Sequence, residues 1–425
     1  MTVCDQACER PNPLSPAAGP APSVALVSLH TSPVARAGVG DAGGMNVYLR
    51  SVSRELARAG WRVDVYTRAT SPEEAARGSE RIGDATLHYL HAGPPAPVEK
   101  DALAALADEF AAAMAARTPA DVVHSHYWLS GLAGEQAARA WGAPHIQSLH
   151  TVAAIKNRDL APGDSPESAA RLEGERRLVR TARGVVTVSE AERQAIIRDY
   201  GARPDRVRVV SPGVDGAVFR PGPAPDPAAL PAPLRRDAGY LLMAGRVQPI
   251  KGQDLAIRTL ARLDPARRPA LLVTGAPGQG HLEYAASLRT LAREEGVAGD
   301  VVFWGPQSPG RLAGLMRGAR LTLLPSRSET FGLVAVESAA CGTPVIGSDT
   351  TGLRSSVAHG VTGLLLASRD PAVWADGIGR VLGDPAFAAR LGQGGVEAGR
   401  SRTWADVAAA LAALYGSLAR AHAGR

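Results

Sequence analysis

Along nearly the whole chain, short runs of β-branched and aliphatic residues alternate with Ala/Leu/Arg stretches of helical period, and one proline-rich segment breaks the alternation. That pattern belongs to a parallel sheet covered by helices. Before the break the candidate strands are Val24 to His30, Arg62 to Thr67, Val122 to Ser125, His145 to Leu149, Gly184 to Val188 and Val207 to Val210. The break, Arg220 to Asp237, is too rich in proline for a helix interior or a central strand and predicts a stiff extended connection. The pattern then restarts with Tyr240 to Ala244, Ala270 to Thr274, Val301 to Trp304, Leu321 to Pro325, Pro344 to Gly347 and Gly363 to Leu366. The expected organisation is a flexible tail at 1–23, an α/β domain at 24–219, a linker at 220–238, a second α/β domain at 239–402 and a terminal helix at 403–425 free to pack back on the first.

Composition narrows the function classes. With 425 residues and 45% hydrophobic content the chain can bury two cores, and no apolar run approaches the ~20 residues of a membrane helix. Met1 to Pro22 lacks the basic and apolar regions of a secretory signal. Cys4, Cys8 and Cys341 are an odd number without metal-ligand spacing, which favours a reduced, cytoplasmic setting. The net charge of +6 invites a nucleic-acid reading, but acids interleave with the bases and aromatics reach only 4%, so no nucleic-acid partner is expected. Lysine occurs only at Lys100, Lys156 and Lys251, leaving 44 arginines among 47 cations. A chain that otherwise writes Arg makes those three positions worth locating.

Ligands of parallel sheets bind beyond the carboxyl ends of the strands, and the chemistry-bearing clusters here sit at such ends. Gly38, Gly40, Gly43 and Gly44 precede Asn46 in a loop that would offer backbone N–H groups and a helix start to an anion. His124 and His126 share a strand face; with no third ligand at matching spacing, hydrogen bonding to a substrate or a core role is favoured over a metal. His150 and Thr151 end another strand, followed by Lys156, Asn157 and, on a probable helix, Arg171, Arg176 and Arg177. Of these Arg171 best fits a phosphate ligand, the others a solvated face. Arg246 and Lys251 could clamp a diphosphate on the loop after the first strand of the second domain. Glu329 and Glu337 lie eight residues apart, a little over two helical turns, so both can address one cleft.

These residues resemble a known family. Gly245-Arg246 with Lys251, and Glu329 with Glu337 ahead of GTPV, are similar to the family 4 retaining glycosyltransferases of GT-B architecture, α/β proteins in which two Rossmann-like doubly wound domains face a central cleft. GDAGGMNVY, HSHYWLSG, HTVAAIKN and DSPESAAR are similar to those of members that open mycothiol synthesis in actinobacteria by joining N-acetylglucosamine from UDP-GlcNAc to 1D-myo-inositol 3-phosphate. The resemblance implies a donor site of Gly44, Arg246, Lys251, Gln307, Glu329 and Glu337. Arg246 and Lys251 would hold the diphosphate, Gln307 the uracil, Glu329 the sugar hydroxyls and Glu337 the ribose. It implies an acceptor site of His30, Asp41, Asn46, Lys100, Tyr127, Thr151 and Arg171, the last four of these around the phosphate. His150 would lie by the donor sugar and join Arg246, Lys251 and Glu329 as the catalytic set. No cofactor is implied for the chemistry itself. Some members carry magnesium on a loop matching Met316, Arg317, Ala319 and Thr343, which makes Mg2+ a candidate there, and a homodimer is compatible with the family.

The chain departs from the family pattern at Arg36-Ala37-Gly38, in GPPAPVEK before Lys100 and in TTGLRSSVAHG after GTPVIGSD. An aminocyclitol or other cyclitol acceptor is therefore the alternative. A nicotinamide oxidoreductase would want an acid where Tyr66-Thr67-Arg68 stands.

Overall fold

The computed structural model describes residues 21–424 apart from 36–37, 39–41, 161–164 and 279; Cys4, Cys8 and Asp41 thus lie outside the described residues. The first sheet contains β1 (Ser23–Val27), β2 (Arg62–Arg68), β3 (Ser79–Ile82), β4 (Ala85–Leu90), β5 (Val122–His126), β6 (His145–Ser148), β7 (Gly184–Thr187) and β8 (Val207–Val209), in the order β3-β4-β2-β1-β5-β6-β7-β8. All pairs are parallel except the β3–β4 hairpin. The second sheet, wholly parallel, contains β9 (Tyr240–Ala244), β10 (Ala270–Thr274), β11 (Val301–Phe303), β12 (Leu321–Leu324), β13 (Val345–Ser348) and β14 (Gly363–Leu366), in the order β11-β10-β9-β12-β13-β14. Each sheet is apolar on both faces and carries two core layers, as its unbroken Val/Leu/Ile runs require. Strand order reverses at β1/β5 in the first sheet and at β9/β12 in the second, and these reversals open the crevices in which doubly wound sheets bind ligands.

Three features differ from the sequence reading. The hairpin β3–β4 was absent from the expected strands, because β3 is four residues long and only Ile82 in it is buried. The strand expected over Val24 to His30 stops at Val27, which frees His30 into a loop. The proline-rich segment is not the stiff extended connection expected. It folds into short 3-10 turns, Pro227–Ala229 and Ala232–Arg235, and plugs Leu230 and Leu234 into the core beside Tyr240 and Leu242.

The helix Trp404–Ala423 returns to the first domain, where Trp404, Val407, Leu411 and Tyr415 share a core with Val24, Leu26 and Tyr48. The two interdomain segments touch where Val214 N donates to Arg402 O at 2.9 Å and Val214 bridges Thr403. A second junction is apolar, with Val188 of the first domain packed among Phe331 and Val336 of the second.

Candidate active site

The carboxyl ends of both sheets open onto one cleft of about 890 Å³ lined by both domains. Two helices begin in it, Gly44–Arg58 and Leu333–Ala340, so the first-turn N–H groups of each are available to an anion. The helix starts nearly touch: a Cβ on Gly44 would lie 3.2 Å from Leu333 Cδ1. Above them Gly38 O accepts from Ala276 N at 3.1 Å, so the glycine-rich loop of the first domain is joined to the second.

The second-domain wall is built on the loops after β9 and β12. Lys251 ends a 3-10 turn, Pro249–Lys251, and its Nζ donates to Glu329 Oε1 at 2.5 Å; Ser326 Oγ donates to the same oxygen at 3.0 Å. Gly252 makes this turn fit, having φ +73° and Pro325 O only 2.1 Å from where a Cβ would stand. Arg246 lines the cleft and its carbonyl is held by Gln253 Nε2 at 3.0 Å. Gln307 also lines it, with its amide nitrogen folded onto Trp304 O and Gly305 O.

The first-domain wall centres on Tyr127. Lys100 Nζ lies 4.9 Å from its ring centroid, Arg171 Cζ 4.8 Å, and the His30 ring 4.5 Å. Arg171 is buried and fully bonded: Nε donates to Glu175 Oε1 at 2.7 Å, a second nitrogen meets Glu167 Oε2 at 2.8 Å, and the third reaches Thr151 Oγ1 at 2.8 Å. Burial opposes its charge, but Glu175, Tyr127 and Glu167 together raise its pKa. Lys156, without an assigned contact in the sequence reading, pairs with Glu167. Glu167 is thereby held below the usual carboxylate range, Arg171 and Lys156 outweighing its burial.

Asn46 turns out to be a brace. Its Oδ1 accepts from Gly43 N, and its Nδ2 donates to Thr31 Oγ1 and Ser32 O, all at 2.8 Å, while only 1% of the residue is exposed. It fixes the loop after β1 against the helix start.

Between the walls, Tyr127 and His150 follow β5 and β6 with φ of +76° and +59°. They are the two non-glycine residues at positive φ among those described, a strain of about 1–3 kcal/mol each that concentrates at functional sites. His150 Nε2 is 2.8 Å from His126 Nδ1. Burial pushes His150 down to about 3 and holds His30, His124 and His126 well below the usual histidine range, so all four rings are neutral.

Sequence reasoning missed three groups in the cleft, Arg50, Asp215 and Glu192. Glu337, raised to about 8 by burial and by Asp215, is opposed by Arg50 from the first domain. Glu192 is raised to about 7 by burial; its Oε2 accepts from Val188 N, while Oε1 is buried with no partner among the described residues. Arg50 and Asp215 carried no signal, one among 44 arginines and the other in an irregular segment. Glu192 reads in sequence as the third helical residue after an N-cap Ser189, a structural position that hides its place on the cleft wall.

The magnesium candidate would sit away from the cleft. Met316, Arg317, Ala319 and Thr343 lie outside the cleft lining, and Met316 O already accepts from Thr343 Oγ1 at 2.5 Å and Ala319 N at 3.0 Å. A cation there would have to be held mostly by backbone carbonyls, since the loop brings no carboxylate.

Two doubly wound domains, a shared cleft and a Lys–Glu pair beside two helix starts fit a glycosyltransferase of GT-B architecture. Residues 43–213 match the Glycosyl transferase 4-like domain and residues 231–397 the Glycosyl transferases group 1 family. The chain is 42% identical over 403 residues to the D-inositol 3-phosphate glycosyltransferase of Acidothermus cellulolyticus, covering 92% of this chain and 89% of that one. It is likewise 42% identical over 400 residues to the protein of that name from Frankia alni, covering 91% and 97%. Among solved structures, sucrose-phosphate synthase from Thermosynechococcus elongatus superposes with a TM-score of 0.85 at 30% identity, over 94% of this chain and 100% of that one. HepE from Anabaena, in complex with UDP and glucose, shares the fold with a TM-score of 0.74 at 19% identity, over 93% and 100%. The chain belongs to the family of D-inositol 3-phosphate glycosyltransferases. Among the described residues no helix is long and apolar enough to cross a membrane.

Proposed function

We propose that the protein transfers N-acetylglucosamine from UDP-GlcNAc to 1D-myo-inositol 3-phosphate with retention at the anomeric carbon, the opening step of mycothiol synthesis in the cytoplasm. The observation that carries this reading is the pairing, across one cleft, of the Lys251–Glu329 donor motif with the Lys100, Tyr127, Thr151 and Arg171 cluster. That cluster, with Lys156, gathers three cationic side chains, Lys100, Lys156 and Arg171, on one wall of the cleft, a setting suited to a phosphate.

In the proposed reaction the acceptor hydroxyl oxygen bonds to the anomeric carbon on the face from which UDP leaves. The bond from that carbon to the β-phosphate oxygen breaks, and the hydroxyl proton passes to the departing phosphate. No protein base is needed, which agrees with the low basicity that burial imposes on the His150 ring. Arg246, Lys251 and the two helix starts stabilise the leaving diphosphate, Glu329 holds sugar hydroxyls, Glu337 the ribose and Gln307 the uracil, with Gly44 against the donor. His30, Asp41 and Asn46 frame the inositol ring, Asn46 through the loop it braces. The Gly38–Ala276 hydrogen bond supports a closed cleft that excludes water from the donor. Magnesium enters no step, and the reading admits a homodimer.

The rival, an unphosphorylated aminocyclitol acceptor, would bring a further positive charge to the wall that already carries Lys100, Lys156 and Arg171. Comparing turnover on inositol 3-phosphate with turnover on inositol tests the choice: equal rates would favour the rival.

A further inference from the structure

The hydrogen bonds beneath the cleft assign protons to a buried row of histidines. Ser148 Oγ donates its one hydrogen to Val186 O at 3.1 Å, so it must accept from His124 Nε2 at 2.9 Å. A neutral His124 then has only a lone pair at Nδ1, and Tyr415 O–H of the terminal helix donates to it at 2.6 Å. The His124 ring, pinned at both nitrogens, lies against that of His126 with centroids 4.2 Å apart.

His126 has one bonded nitrogen, Nδ1, facing His150 Nε2 at 2.8 Å, while its Nε2 is buried with no partner among the described residues. A buried N–H without an acceptor costs more than a buried lone pair without a donor, so the His126 proton belongs on Nδ1. His126 therefore donates to His150 Nε2, and the neutral His150 carries its own proton on Nδ1. With Nε2 turned to the strand behind it, Nδ1 is the nitrogen left for the cleft that His150 lines. Tyr48, edge-on to His150 at 5.2 Å and to Trp404 at 5.6 Å, holds the ring in this orientation.

We infer that His126 is a positioning residue that fixes His150 as its Nδ1–H tautomer, so that the cleft receives a hydrogen-bond donor and not a base. The group served is an oxygen of the donor sugar, and the inference rests on the proposed reading of His150 as a donor-sugar contact. The terminal helix, through Tyr415 and Trp404, extends this support from the end of the chain.

Long-range 1H–15N spectra of the full-length protein labelled at histidine, with the His150 signal assigned from the His150→Gln variant, read the tautomer directly. Protonation at Nδ1 is expected; protonation at Nε2 overturns the inference. His126→Phe removes the donated bond and should shift His150 toward the Nε2–H form, lowering kcat with UDP-GlcNAc roughly tenfold or more while changing the acceptor KM little. His126→Asn, whose amide N–H occupies the place of Nδ1–H, should recover most of that loss. Equal kcat for the Phe and Asn variants also overturns the inference. His150→Ala separates the premises: normal turnover there rejects His150 as a donor contact, whereas a loss there with a normal His126→Phe rejects the role of His126 alone.

Discussion

Lys251 Nζ meets Glu329 Oε1 at 2.5 Å, joining loops 78 residues apart in sequence into one unit of the second-domain wall. Lys251→Ala should lower turnover by a factor of roughly 100 or more, since it removes charge from the departing diphosphate and leaves Glu329 without its cation. Steady-state kcat with UDP-GlcNAc checks this, and near-normal turnover would refute the assignment.

Arg171 and Glu175 are a buried ion pair, with side chains 5% and 0% exposed. Arg171→Ala leaves the Glu175 carboxylate with only Tyr200 O–H and Ala153 N, and breaking such a pair typically costs about 3–5 kcal/mol. Urea unfolding should register that loss. The double variant Arg171→Met with Glu175→Leu should regain much of the stability and none of the acceptor-dependent activity.

Gly252 has no room for a side chain. Gly252→Ala places a methyl 2.1 Å from Pro325 O at a left-handed φ, so the Lys251 turn must shift. The donor KM should rise and kcat fall together, with thermal stability reduced by more than about 1 kcal/mol. Gly252→Ala with wild-type donor kinetics would contradict the packing described.

The raised carboxyls of Glu337 and Glu192 carry a signed pH dependence. Both keep their protons in the folded chain to about 8 and about 7, above the 4.5 of an unperturbed carboxyl. Over that window the unfolded state binds fewer protons, so these groups subtract stability increasingly as pH rises, and contribute nothing below the unfolded value. Glu337→Gln should therefore gain stability relative to the parent between pH 5 and pH 8. Denaturant unfolding at several pH values measures the difference, and a gap independent of pH would count against the assignment. Donor hydroxyls bonded to Glu337 would favour its charged form, so UDP binding near pH 7 should release protons, visible in calorimetry as a dependence on buffer ionisation enthalpy.

Much of the cleft lining could be read in sequence because its parts are local motifs at strand ends: Arg246 and Lys251 after β9, Glu329 after β12, His150 and Thr151 after β6. The sheets were legible for a similar reason, since buried parallel strands are unbroken apolar runs. What escaped depends on distant partners. Nothing near Tyr415 announces that it bonds His124, 291 positions away, or near Trp404 that it backs Tyr48. Arg50 and Asp215 acquire meaning only when two domains bring them to Glu337. Asn46 was legible as a motif position, but its three hydrogen bonds, which make it a brace, depend on the fold of the preceding loop.

The central claim is tested most directly by weighing the products formed from UDP-GlcNAc with 1D-myo-inositol 3-phosphate, with inositol and with an aminocyclitol, and repeating the set with UDP-glucose. The account predicts UDP and an N-acetylglucosaminyl inositol phosphate, with little or no product from acceptors lacking the phosphate. Turnover of plain inositol or an aminocyclitol at a rate equal to that of the phosphorylated acceptor would contradict it.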